Sequence, residues 1–265
     1  MVVSEEPRTA TRVLEPILEC RDIHMSYNLR KGMVVKVFEG LSISVRYTEF
    51  LGIVGPSGCG KTTLLKVMAG LVKPSVGEVY YKGQPLNSPT PAIALVLQNF
   101  ALFPWYTVLE NVMLALSKDK ELSKQDKLER CRAFLNMVGL SGFESAYPAE
   151  LSDGMKRNVM LARALVTQPD ILLMDEPFSN VDPLTAISLR REIESMWLSE
   201  SLPPSSVVLV SHDVEEVVEL CDRVIVLTPR PAKIAATLDI SLPRPRIRRS
   251  REFYEYVDEI FTLMS

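Results

Sequence analysis

The stretch that most constrains this chain is Gly55-Pro56-Ser57-Gly58-Cys59-Gly60-Lys61-Thr62, which fits G-x-x-x-x-G-K-[ST] at every fixed position. It stands between a tight apolar segment at 50–54 that reads as a strand and an apolar segment at 61–69 that reads as a helix, ended by Gly70 and Pro74. Strand, glycine-rich turn and helix in that order hold phosphate for stated reasons. The glycines let backbone N–H groups turn inward as an anion nest, and the helix opened by Lys61, Thr62 and Thr63 adds partial positive charge. Lys61 would reach the β- and γ-phosphates as a point charge, and the Thr62 hydroxyl can ligate Mg²⁺.

A phosphate loop used for hydrolysis needs a carboxylate for the metal and a base for water. Ile171-Leu172-Leu173-Met174-Asp175-Glu176 supplies both at the end of an apolar strand. Asp175 would sit beside Mg²⁺ and Glu176 would point at the attacking water as general base. The rest of the 265-residue chain suits this. Its 47% hydrophobic and 24% charged residues exclude wholesale disorder, and a formal charge of −3 announces no nucleic-acid binder. No apolar run has membrane-spanning length, and the first 16 residues lack the apolar stretch of a secretory signal. Cys20, Cys59, Cys131 and Cys221 are widely spaced, which reads as reduced thiols in a cytosolic protein.

The order of elements points to an α/β fold. Short β segments are expected at 17–27, 33–38 and 41–46, with turns at 28–32 and at Glu39 and Gly40. Further strands are expected at 77–81 and 93–97. From 107 to 167 the strand signal disappears. Thr107 with Glu110 forms a capping-box pattern for a helix to 116, Ser123 can cap a second helix ending at Gly139, and Ser152 a third to about 167. Alternation resumes with strands at 171–174, 206–210 and 223–227 and helices at 183–198 and 214–220, where Asp182-Pro183 is an N-cap followed by an N1 proline. A strand at 233–238 and a helix from about 250 close the chain.

Leu151-Ser152-Asp153-Gly154-Met155 resembles the L-S-G-G-Q signature of ATP-binding cassette (ABC) ATPases. The family's other motifs follow in order: Gln98 matches the Q-loop glutamine, Ser179-Asn180-Val181-Asp182 the D-loop, and His212 the switch histidine. Tyr27 matches the aromatic that stacks on adenine, with Phe38 as its rival. The resemblance covers about residues 17–230. The run from Gln98 to Val112, with Trp105, and the tail Leu242-Pro243-Arg244-Pro245-Arg246 are similar to the importer subgroup serving nitrate, sulfonate, taurine and related solutes.

The resemblance implies a P-loop NTPase core with an N-terminal antiparallel β subdomain and an inserted α-helical subdomain. Its expected boundaries are a flexible N-terminus at 1–16, an ATPase domain at 17–240 with helices at about 100–160, and a basic linker and C-terminal helix at 241–265. It implies ATP and Mg²⁺ as cofactors. The nucleotide would meet Tyr27, residues 55–63, Gln98, Ser152 and Gly154; Thr62, Gln98 and Asp175 would meet the metal; Glu176 and His212 would be catalytic. Ser152 and the N–H groups behind it would complete the γ-phosphate cage of a second copy, so that two cassettes sandwich two ATP molecules head to tail. The implied partners are integral membrane permease subunits, through them a solute-binding protein, and a second copy, with no nucleic acid. The implied place is the cytoplasmic face of the cell membrane. A soluble ABC ATPase outside transport and a nucleotide-binding regulatory cassette stand as alternatives.

Four features depart from the pattern or add to it. Asp153 replaces a glycine, and a carboxylate about 8 Å from a phosphate costs roughly 1–2 kcal/mol per unit charge at an effective dielectric of about 20. Because Ser152 and Gly154 are kept, Asp153 is expected to point outward and leave a working site. Lys156-Arg157-Asn158 replaces R-Q-R, which puts the polar contacts of that helix in doubt. Cys59, beside the helix dipole and Lys61, is expected to be a reactive thiol that ATP protects from alkylation, with an inert packing role as the alternative. Arg244, Arg246, Arg248, Arg249 and Arg251 form a basic run; such runs are commonly solvated, and attraction to anionic lipid is the alternative.

Overall fold

The computed structural model describes residues 16–28, 32–99, 101–179, 182–198 and 204–264. In chain order the elements are β1 (Pro16–Asn28), β2 (Val34–Arg46), β3 (Phe50–Val54), α1 (Lys61–Met68), β4 (Val76–Tyr81), β5 (Gln84–Pro85), β6 (Ile93–Val96), α2 (Val108–Met113), α3 (Lys124–Met137) and α4 (Asp153–Leu165). Then follow β7 (Ile171–Asp175), α5 (Pro183–Leu198), β8 (Ser206–Val210), α6 (Val214–Leu220), β9 (Arg223–Leu227), β10 (Ile234–Asp239) and α7 (Arg251–Met264). Of the N-terminal stretch expected to be flexible only Pro16 is described, and most of the turn expected at 28–32 lies outside the described residues.

Two sheets form. One is antiparallel, in the order β2-β1-β4-β5; the other runs β10-β9-β3-β8-β7-β6 and is parallel except where β10 meets β9. Side-chain alternation sorts the central strands between two cores. In β3, Leu51 and Ile53 pack with α1 and the antiparallel sheet, whereas Phe50 and Val54 pack with the helical side of the molecule. Strands buried on both faces are what continuous apolar runs such as Ile171-Leu172-Leu173-Met174 require. Between β6 and β7 the described chain forms helices only. Thr107 and Ser123 make full capping boxes with Glu110 and Asp126, as their spacing predicts, while the end of the first helix tightens into a 3₁₀ turn at Leu114–Leu116.

The turn expected at Glu39 and Gly40 is instead a β-bulge in one continuous strand. Ile23 pairs with Leu41 and Met25 with Phe38, so Glu39 and Gly40 together oppose His24. Gly40 takes φ +68°, a conformation open to glycine, and the extra residue bends the strand without ending it.

Three of the five arginines, Arg244, Arg246 and Arg248, are engaged within the fold and not solvated. Arg244 pairs with Glu194 (3.0 Å) and Asp222 (2.7 Å) and lies over the Trp197 ring at 4.7 Å. Arg248 pairs with Glu219 (2.7 Å) and Glu215 (3.2 Å). Arg246 is buried and donates to the carbonyls of Val218 (2.7 Å), Cys221 and Ile240 (3.2 Å), closing the last turn of α6 where backbone acceptors have no helical partner. Only Arg249 and Arg251 remain well exposed. The run thus straps the C-terminal segment, and with it α7, across α6. Arg246→Met leaves those carbonyls unpaired and is expected to cost about 2–4 kcal/mol, measured as a lower midpoint in urea unfolding.

Candidate active site

β3, β6, β7 and β8 lie side by side in the parallel sheet, and each delivers one functional segment from its carboxyl end, the edge where open α/β sheets bind ligands. β3 runs into the glycine-rich loop, and α1 begins at Lys61 with no side chain capping its first N–H groups. Those donors stay open to an anion. Lys61 is buried and its Nζ donates to the carbonyl oxygens of Gly55 (2.7 Å) and Pro56 (3.1 Å), so the cation sits within the loop. Ser57 and Gly58 are exposed at the rim, with Thr63 half-buried behind it.

Cys59 does not behave as expected. It is 1% exposed and packs in the core with Leu227, which favours the inert packing role over a reactive thiol and leaves only its backbone to the loop. The four cysteines are all free and buried.

Thr62 Oγ1 donates to Asp175 Oδ2 at 2.7 Å, joining the helix start to the end of β7. Burial raises the Asp175 carboxyl above its ordinary range against the opposing Thr62 hydrogen bond, and the neighbouring Glu176 charge raises it further. Glu176 adopts φ +47°, a strained setting for a residue with a side chain, and its N–H donates to Val210 O at 2.9 Å. Its Oε2 accepts from Gln98 Nε2 at 2.9 Å and lies 3.2 Å from His212 Nδ1. Segments following β6, β7 and β8 therefore converge on one carboxylate oxygen. Of the three residues expected at the metal, Thr62 and Asp175 are in contact, while Gln98 is bonded to Glu176 instead.

Ser152 is exposed, has extended backbone angles and caps α4, its Oγ accepting the Met155 N–H at 3.2 Å. Asp153 pairs with Lys156 at 2.9 Å and leaves its side chain 59% exposed. Gly154 is required by packing as well: a Cβ there would stand 2.7 Å from Thr185 Cγ2 of α5. Asp182 Oδ1 caps α5 by accepting from the Thr185 N–H at 3.0 Å, whereas Asn180 and Val181 lie outside the described residues. Tyr27, at the end of β1, is 40% exposed; its rival Phe38 is buried in the core and presents no face to a base.

One residue close to the site was read only as a departure. Arg157, buried on α4, donates to the carbonyls of Glu176 (3.3 Å), Pro177 (2.7 Å) and Ser179, so the altered helix does supply polar contacts to the segment bearing the general-base candidate. The signal was an arginine on the same stripe as Met160, Leu161 and Ala164, at helical spacing.

Residues 38–179 match the family model described as ABC transporter. The chain is 43% identical over 233 residues to "Uncharacterized ABC transporter ATP-binding protein MJ0412" of Methanocaldococcus jannaschii, covering 88% of this chain and 86% of that one. It is 36% identical over 230 residues to "Aliphatic sulfonates import ATP-binding protein SsuB" of Bacillus cereus, covering 86% and 88%. A solved structure titled as a dimeric post-hydrolysis state of the ATP-binding cassette MJ0796 bound to ADP and Pi superimposes with a TM-score of 0.71 at 27% identity, over 82% of this chain and 98% of that one.

Proposed function

Since this chain belongs to the ABC transporter family of ATP-binding proteins, ATPases whose hydrolysis drives transport, we propose that it is the motor subunit of an importer for a small anionic or organic solute of the sulfonate, nitrate and taurine class. The observation that carries the reading is the meeting of Gln98 and His212 on Glu176, beside the Thr62–Asp175 contact. Lys61 and the open N–H groups of α1 bind the triphosphate, and Tyr27 offers its exposed ring to adenine. Thr62 and Asp175 are hard oxygen donors already in contact, a fit for Mg²⁺. Bound there, the metal would supply charge neutralisation at the β- and γ-oxygens. Glu176 takes the proton of the attacking water, while His212 and Gln98 hold its carboxylate in place.

The exposed Ser152 helix start is the half-site for a second copy, so ATP joins two chains across a two-fold axis and hydrolysis releases them. The relative named for sulfonate import supports the solute class, and the solved dimeric cassette supports the assembly. Among the described residues no helix is long and apolar enough to cross a membrane. On this reading the partners are membrane permease subunits, with a solute-binding protein beyond them, met at the cytoplasmic face; the relative named for sulfonate import supports it. Affinity purification of the tagged chain from native membranes is expected to bring an integral membrane protein and ATPase activity along together. Recovery only in soluble complexes, or nucleotide binding without hydrolysis, overturns the reading.

A further inference from the structure

His212 is 60% exposed, and the only described partner of its ring is Glu176. Something else must hold the turn that carries it. The residue before it, Ser211, is 1% exposed, and its hydroxyl makes two contacts at once: it donates to Glu216 Oε2 at 2.8 Å and accepts the Asp213 N–H at 3.0 Å. That single oxygen ties the two residues flanking His212 to the first turns of α6. Asp213 in turn caps α6 by accepting the N–H groups of Glu215 (2.9 Å) and Glu216 (3.4 Å). The Glu216 carboxylate is itself buried and anchored by Arg190 of α5 at 3.4 Å, while the Arg190 Nε lies 2.8 Å from Glu219 one turn later. A buried carboxylate held by an ion pair and a hydroxyl has a narrow choice of position.

We propose that Glu216, acting through the Ser211 hydroxyl, is a positioning residue for ATP hydrolysis: it fixes the turn that presents His212 to Glu176. Neither residue touches the nucleotide loop. Their contribution is to the orientation of a group that acts only during hydrolysis, so it falls on kcat and leaves nucleotide binding alone. Glu216→Gln keeps an oxygen for Ser211 and nearly the same shape, whereas Ser211→Ala cuts the link while leaving the Arg190–Glu216 pair in place.

The inference rests on the reading of His212 as a hydrolytic residue, and the test separates the two. Steady-state ATPase assays of the full chain are run on Ser211→Ala, Glu216→Gln and Glu216→Ala, each in the native and the His212→Ala backgrounds. Thermal melts and nucleotide-binding titrations accompany every variant. In the native background, Ser211→Ala is expected to lower kcat roughly tenfold with KM changed less than about twofold. Glu216→Gln is expected to retain most of the activity that Glu216→Ala loses. With His212→Ala already present, Ser211→Ala is expected to lower the residual rate no further. Full kcat in Ser211→Ala, or the same fractional loss with and without His212, overturns the positioning role. Native kcat in His212→Ala alone overturns the catalytic reading of that histidine, and the positioning role with it.

Discussion

Glu176→Gln is expected to reduce ATP hydrolysis by roughly 10²–10⁴-fold while leaving ATP binding intact, so that an ATP-bound dimer accumulates. The amide matches the carboxylate in size, so the backbone at φ +47° carries the same strain and the Val210 contact is undisturbed. It keeps an oxygen to accept from Gln98. What it loses is the lone pair that takes a proton from water at neutral pH. The groups assigned to binding are separate from this side chain: Lys61 lies within the loop, Thr62 on Asp175, and Tyr27 on the other sheet. Binding free energy that normally ends in hydrolysis is then retained as association of two chains. Phosphate release and size-exclusion chromatography with saturating ATP and Mg²⁺ check both halves. A variant that stays monomeric removes the support for the ATP-joined dimer, and one that hydrolyses ATP at more than a tenth of the native rate removes Glu176 as the base.

How much of this was legible in the sequence depended on the range of the interaction that decides each element. Helix starts are set by contacts three residues apart, so Thr107, Ser123, Ser152 and Asp182 reveal them on inspection, and each caps its helix. The strands at 50–54, 206–210 and 223–227 fall where apolar runs of strand length, bounded by polar residues, place them. The bulge at Glu39 and Gly40 was misread because a glycine in the left-handed region serves a turn and a bulge alike; the pairing partner, 16 residues away at His24, decides between them. The arginine run was misread for the same reason. Its partners Glu194, Glu215, Glu219 and Asp222 belong to α5, α6 and the loop that follows, and only folding brings them to the tail. Cys59 shows the complementary error. The loop motif names its backbone position, but which way a side chain points from a tight turn follows from the core beneath it.

Arg157 was hidden in the same manner, and its removal carries the second large effect. Beyond the Glu176 N–H, which still bonds Val210 of β8, the segment to Ser179 turns away from the sheet, and three of its carbonyls face α4. A planar, permanently charged fork can reach several acceptors at once, which explains a buried arginine on an otherwise apolar stripe. Arg157→Met fills the volume but strands the Pro177 and Ser179 carbonyls away from water, while the Glu176 carbonyl keeps the Ser179 hydroxyl, at an expected cost of about 3 kcal/mol or more. The loss of rate should exceed what unfolding explains. Glu176 holds its strained backbone because its surroundings over-determine it, with Arg157 (3.3 Å) and the Ser179 hydroxyl (2.9 Å) on its carbonyl and Val210 on its amide. With the 177–179 carbonyls released, the segment behind Glu176 loosens and its carboxylate is expected to drift from Gln98 and His212, and a displacement of about 1 Å is enough for a loss on the order of 10²-fold in kcat. Arg157→Lys, one ammonium in place of the fork, should recover part of the stability and little of the rate. Urea unfolding together with ATPase assays under conditions where each variant is fully folded checks the split. A methionine variant that melts early but turns over normally once folded would confine Arg157 to stability and leave the Glu176 geometry to be held by Val210, Ser179, Gln98 and His212.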